Sequence, residues 1–267
     1  MRGVLGAAAV AAMVVTAACA RSAASPTPTA DPLASLLARG TLIVSIRMVA
    51  PPAQREQGDA AHEQKRAFEA AIAGALAQRI LGPTARAEFR NTGRDRVGPV
   101  ASRDADVAMA TATPGAAGVT FSQPYAAGGV VLIAAGSVTR VEDLAGRTIG
   151  TTPGDNDSAE AAQAFFAQRG VQVRLQSFAG LRPAVEALDA GQIAAIAGDR
   201  AGVAVVNRGR TNALRTLVDL AARPFAIAVR TDATALLAKV NEALAALNGS
   251  GEIRKLAEAA GFPYEAP

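Results

Sequence analysis

The chain has no tryptophan, two tyrosines, one histidine and one cysteine among its 267 residues, and each shortage removes a class of function. With His62 as the sole histidine and one cysteine, no His/Cys ligand set exists; metal chemistry is not expected, and His62 reads as a solvated helical residue. One cysteine forms no internal disulfide. The basic balance, net +4 with a pI near 9.8, comes from single arginines scattered among acids, and only Lys65, Lys239 and Lys255 are lysines. With no basic run and few aromatic rings for base stacking, nucleic acid is not expected as a partner.

Long apolar runs are scarce as well. The one at the N-terminus follows Arg2 within residues 1–18 and falls short of the roughly 20 residues that span a bilayer, so it reads as an export signal outside the fold. Thr16-Ala17-Ala18-Cys19 fits a lipobox, and lipid attachment at Cys19 explains the lone cysteine; ordinary signal cleavage after Ala20 is the alternative. Residues 19–38, rich in Ser, Thr, Pro and Ala at their start, are expected to form a disordered tether.

What remains, roughly 235 residues, suffices for one large or two small α/β lobes with cores of their own. The composition of the whole chain, 50% apolar and 19% charged, is that of an ordinary globular protein. The organising stretch is Ser102 to Gly136. It predicts a strand at Val107-Ala108-Met109, a polar loop at Thr111 and Thr113, a tight FSQPY corner, and a second apolar run from Gly129 to Ala134. The loop would follow the carboxyl end of a strand, where open α/β sheets bind small ligands. Because VEDLAGRTIG then begins a fresh βα unit, Val130–Ala134 is expected to be a crossing between two lobes, with Phe225–Val229 the return. Phe68, Ile72, Leu76 and Ile80 predict a helix over Glu63–Leu81 with one apolar stripe facing a sheet.

Five phrases carry a resemblance: RGTLIVSIRMVAPP from Arg39, DADVAMATAT from Asp104, FSQPY from Phe121, VEDLAGRTIG from Val141 and AGQIAAIAGD from Ala190. In that order they resemble the family 3 extracellular solute-binding proteins, the receptor subunits of polar amino acid ABC importers. Residues 39 to 265 take part. The resemblance implies an α/β, two-lobed type II periplasmic binding protein fold with two hinge crossings, lobe 1 being 39–130 plus 226–267 and lobe 2 being 131–225. It further implies a monomeric receptor rather than an enzyme, without cofactor, lipid-anchored on the extracytoplasmic face of the cell membrane. Its partners would be a small-molecule solute and ABC permease subunits.

The same resemblance names candidate ligand residues. Asp199 matches the acid that accepts the ligand's α-ammonium group, the alternative being an N-cap for the helix that follows. Thr111 and Thr113 keep hydroxyls where the family has them, with simple loop hydrogen bonding as the alternative. Ala116 stands where the family's loop, T-x-T-x-x-R, places the arginine that clamps a carboxylate. Arg47, leaving the first strand, either faces the cleft as a substitute cation or is an exposed strand-end residue. Asp155 and Asn156, before the helix near Ala159, lie where a helix N-terminus helps hold the ligand, though Asp155 also suits capping. These features imply a polar or cationic amino acid or a related amine. Two other readings stay open: a binding-fold lipoprotein acting as sensor or docking protein, and an enzyme resembling cyclohexadienyl dehydratase.

Overall fold

In the computed structural model the described residues are 32–48, 60–93, 95–113, 115–134, 136, 138–152, 158–208 and 210–267. Among them two separate five-stranded sheets form, each with helices, which is the two-lobed α/β architecture the resemblance implied. The first sheet contains β1 (Thr41–Ile46), β2 (Arg86–Asn91), β3 (Val107–Thr111), β4 (Val119–Phe121) and β10 (Phe225–Arg230) in the order β2-β1-β3-β10-β4. The second contains β5 (Gly129–Ala134), β6 (Thr148–Thr151), β7 (Arg174–Ser177), β8 (Ala195–Asp199) and β9 (Arg215–Ala222) in the order β7-β6-β8-β5-β9. In each sheet three neighbouring strands run parallel, and the strand arriving from the other lobe lies antiparallel beside them. The helices are α1 (Pro32–Arg39), α2 (Ala60–Leu81), α3 (Gly98–Ala101), α4 (Ser158–Gln168), α5 (Leu181–Asp189), α6 (Arg200–Asn207), α7 (Thr234–Gly249) and α8 (Glu252–Ala259).

The apolar stripe on α2 behaves as its spacing requires. Phe68, Ile72 and Leu76 are fully buried against the first sheet, and Ile80 packs at the edge of the same core. The helix starts three residues before Glu63, which puts His62 in its first turn, half-buried rather than solvated. Residues 32–38, assigned above to the tether, are helical instead. In the PLASLLAR segment Leu36 is 1% exposed within the first core, with Leu33 packed beside it, and burying one such leucine contributes about 2 kcal/mol. Its Pro/Ser-rich neighbours hid that spacing. The signal segment, Cys19 and the rest of the tether lie outside the described residues.

The expected crossings are displaced. Val130–Ala134 is strand β5, buried throughout and paired on both sides inside the second sheet, and Phe225–Val229 lies in β10 between β3 and β4 in the first. Runs with both faces apolar suit a central strand better than an exposed link. The chain passes between lobes just outside them, over residues 122–128 and at Arg223-Pro224. These two crossings are bonded to each other: Tyr125 N–H donates to Phe225 C=O at 2.9 Å, Phe225 N–H to Ala126 C=O at 2.9 Å, and Arg223 N–H to Gly128 C=O at 3.0 Å. Where the crossings enter the second sheet, β5 and β9 come so close at Gly129, with φ +136, that a Cβ there would sit 2.1 Å from the Ala221 carbonyl oxygen.

Candidate functional site

The carboxyl ends of the parallel strands in both sheets point toward the crossings, so the residues following β1, β3 and β8 meet there. Arg47 follows β1 directly. It is buried, at 4% exposure, so the exposed strand-end alternative does not hold. Continuing the pairing of Ser45 with Ala108 brings Arg47 level with Ala110, one residue before Thr111. Thr111 ends β3, half-buried, and its carbonyl accepts a bond from the exposed Thr113 hydroxyl at 3.3 Å, the loop bonding considered above. Ala112 N–H donates to Pro224 C=O at 2.8 Å, which ties this loop to the second crossing.

Between loop and crossing lies a pocket of about 390 Å³, walled by Ala112, Thr113, Ala116 and Phe121 on one side and Ala222 and Pro224 on the other. Among the described residues that line it, no side chain is ionisable. Ala116 thus borders open apolar space.

Asp199 closes β8 and begins α6. Its Oδ1 accepts from the backbone N–H groups of Ala201 and Gly202, both at 3.1 Å, so it is the N-cap of that helix. Across the second sheet Asp199 pairs with Val130, and Val130 pairs with Ala221. Two strand spacings therefore separate Asp199 from Ala221, about 10 Å, and the next residue, Ala222, walls the pocket. Asp199, the Thr111–Thr113 loop and Arg47 accordingly gather around one junction of the lobes. Asp155 and Asn156 lie outside the described residues. On either side of residues 153–157, the buried Ser158 hydroxyl accepts from Thr152 N–H at 2.9 Å and donates to Thr152 C=O at 2.7 Å.

Beneath this junction sits a charged cluster that sequence reasoning did not single out. Glu69 of α2 is 2% exposed and Arg96 6%. Arg96 Nη1 donates to Glu69 Oε1 at 3.1 Å and to the Met109 carbonyl at 2.8 Å, two residues before the Thr111 loop. Lys65 approaches Glu69 at 4.0 Å and lies 4.8 Å above the Phe225 ring. Next to them the Tyr125 hydroxyl is buried with no hydrogen-bond partner among the described residues. Burial, reinforced by Glu69 and opposed by Arg96, raises its pKa well above the usual tyrosine value, so the ring stays neutral at ordinary pH. The available signal was position: Lys65 and Glu69 share a helix face with Phe68 and Ile72, a place where charges need partners. No group of acidic, histidine or cysteine side chains among the described residues is placed to hold a metal ion.

No curated protein matches the chain by sequence. Among solved structures, an ancestral amino acid-binding protein described as a precursor of cyclohexadienyl dehydratase superposes with a TM-score of 0.61 at 22% identity, covering 86% of this chain and 99% of that one. The solute receptor for L-cysteine of Neisseria gonorrhoeae gives 0.58 at 24% identity, over 85% and 92%. An ancestral arginine-binding protein bound to arginine gives 0.56 at 26% identity, over 83% and 98%. A family model matches residues 43–260, from within β1 to the end of α8 and so through both sheets and both crossings: the chain belongs to the bacterial extracellular solute-binding proteins, family 3.

Proposed function

We propose that this protein is the lipid-anchored, extracytoplasmic receptor of an ABC importer, and that it takes a polar or cationic amino acid or a related amine between its lobes. Family membership supports the receptor class, and an arginine-bound relative is consistent with the ligand class. The observation that carries the ligand is Asp199, a carboxylate at the end of β8 beside the lobe junction, while the described residues lining the nearby pocket include no cation and leave Arg47, buried at the same junction, as the candidate partner for a carboxylate. Closure of the lobes follows if the ligand touches both and so binds the closed form better. The protein breaks no bond in this reading.

A thermal-shift screen against amino acids, amines and small acids tests it. A ligand at 100 times its Kd stabilises by about 2.7 kcal/mol, a rise of roughly 5–10 °C for a protein of this size. Asp199→Asn then separates the two roles of this side chain. Asparagine caps a helix about as well as aspartate, so the unliganded melting temperature should barely move. Loss of a charge-assisted bond to an ammonium group should lower affinity about 10- to 100-fold. Binding confined to acids that lack an amine, or an Asp199→Asn protein with unchanged affinity, overturns the ligand assignment.

The anchor has its own test. With a lipid on Cys19 the protein should pellet with membranes, and Cys19→Ser should release it to the soluble extracytoplasmic fraction. If the unaltered protein is already soluble, cleavage after Ala20 is the correct reading.

A further inference from the structure

We propose that Arg200 is a latch between the lobes, worked through the C-terminal tail of the same chain. Arg200 opens α6 in the second lobe, and its guanidinium contacts two carboxylates at once. One is Asp219 of β9, in its own lobe; the other is Glu265, whose Oε2 lies 3.1 Å from Arg200 Nη1.

Glu265 belongs to the tail beyond α8, which is built into the first lobe. Phe262 stacks on Phe68 of α2 with ring centroids 4.6 Å apart, and Tyr264 packs against the same core. The tail also runs along the first crossing, where the Glu265 carbonyl accepts from Ala127 N–H at 2.9 Å. Ala201, the residue after Arg200, is buried in the first lobe's core, and α6 packs on α2. The Arg200–Glu265 pair therefore bridges the lobes beside the crossings, while Asp219 holds the arginine fork oriented from its own side.

Both ends of the pair are partly exposed, with side-chain exposures of 26% for Arg200 and 55% for Glu265, so it adds little to global stability. Its leverage is on the balance between open and closed lobes, where a small bias moves a population several-fold. The latch rests on the reading that the lobes open and close.

The test is a distance measurement between spin labels on the full chain carrying Cys19→Ser, with labels at the exposed positions Ala167→Cys in α4 and Ala238→Cys in α7. Without ligand, Glu265→Gln should raise the long-distance population several-fold, Arg200→Gln should match it, and the double variant should go no further. Screening supplies a readout that packing alone would not move. Going from 0.1 M to 1 M salt shortens the Debye length from about 10 Å to about 3 Å, so it should push the unaltered protein toward the variants and leave the variants where they are. Two distances whose ratio ignores Glu265→Gln and salt would overturn the latch while leaving lobe motion intact. A single unchanging distance in every variant would overturn both.

Discussion

Glu69→Ala should cost about 3–5 kcal/mol, a large part of the stability of a protein this size. The reason is what stays behind. Arg96, 6% exposed, and Lys65, 8% exposed, would lose the carboxylate that lies between them, in a core where water cannot replace it. Urea unfolding of the extracytoplasmic domain measures the effect as a fall in midpoint at unchanged slope. Glu69→Gln keeps the shape and an acceptor oxygen and should cost less. Pairing Glu69→Ala with Arg96→Met should cost less than the two single changes added together, because the second removes one of the two cations that the first deprives of Glu69. Strict additivity would show that the bridge contributes nothing of its own.

Gly129→Ala is the second large effect, expected at about 3 kcal/mol or more. Two independent penalties meet at this residue. Its φ of +136 lies in a region that side-chain-bearing residues rarely adopt, and the added Cβ would lie 2.1 Å from the Ala221 carbonyl oxygen, a backbone atom that no rotamer change can move. The clash forces the end of β9 from the start of β5, directly beside the crossings where lobe motion would be seated, so ligand affinity should fall with stability. Gly249→Ala is the matched control, since a Cβ there meets nothing within 4 Å and the residue ends helix α7 with ordinary φ. It should be neutral or slightly stabilising. Equal effects of the two substitutions would remove the crossing from any special role.

The contrast between what the sequence disclosed and what it hid has a physical pattern. Strands such as Thr41–Ile46 and the α2 stripe were legible because local periodicity alone decides them. Five short phrases in order disclosed the two-lobed fold, and the family match spans nearly the same residues. Strand partnership was not local, so β5 and β10 read as links when they are central strands; only pairing across more than 60 residues shows their place. Arg47 illustrates the same gap in the site. Its neighbours in sequence say nothing of its burial, which is set by β2 and β3 arriving beside β1. Asp199 was legible as a cap because capping depends on the next three residues, whereas its nearness to the pocket depends on β5 and β9. Arg200 and Glu265, 65 positions apart, gave no local sign of meeting.

The strand order of the first sheet carries a consequence for biogenesis. Its β10 lies between β3 and β4, yet Phe225–Arg230 follows the entire second sheet in the chain. A polypeptide threaded outward from its N-terminus must therefore hold residues 41–121 unfinished, edges of β3 and β4 unpaired, until nearly everything else has emerged. The second sheet, uninterrupted from Gly129 to Ala222, has no such wait. Secretion would thus deliver a finished inner insert before the outer half that surrounds it in sequence, and that interval is when the nascent chain is most in need of protection from aggregation.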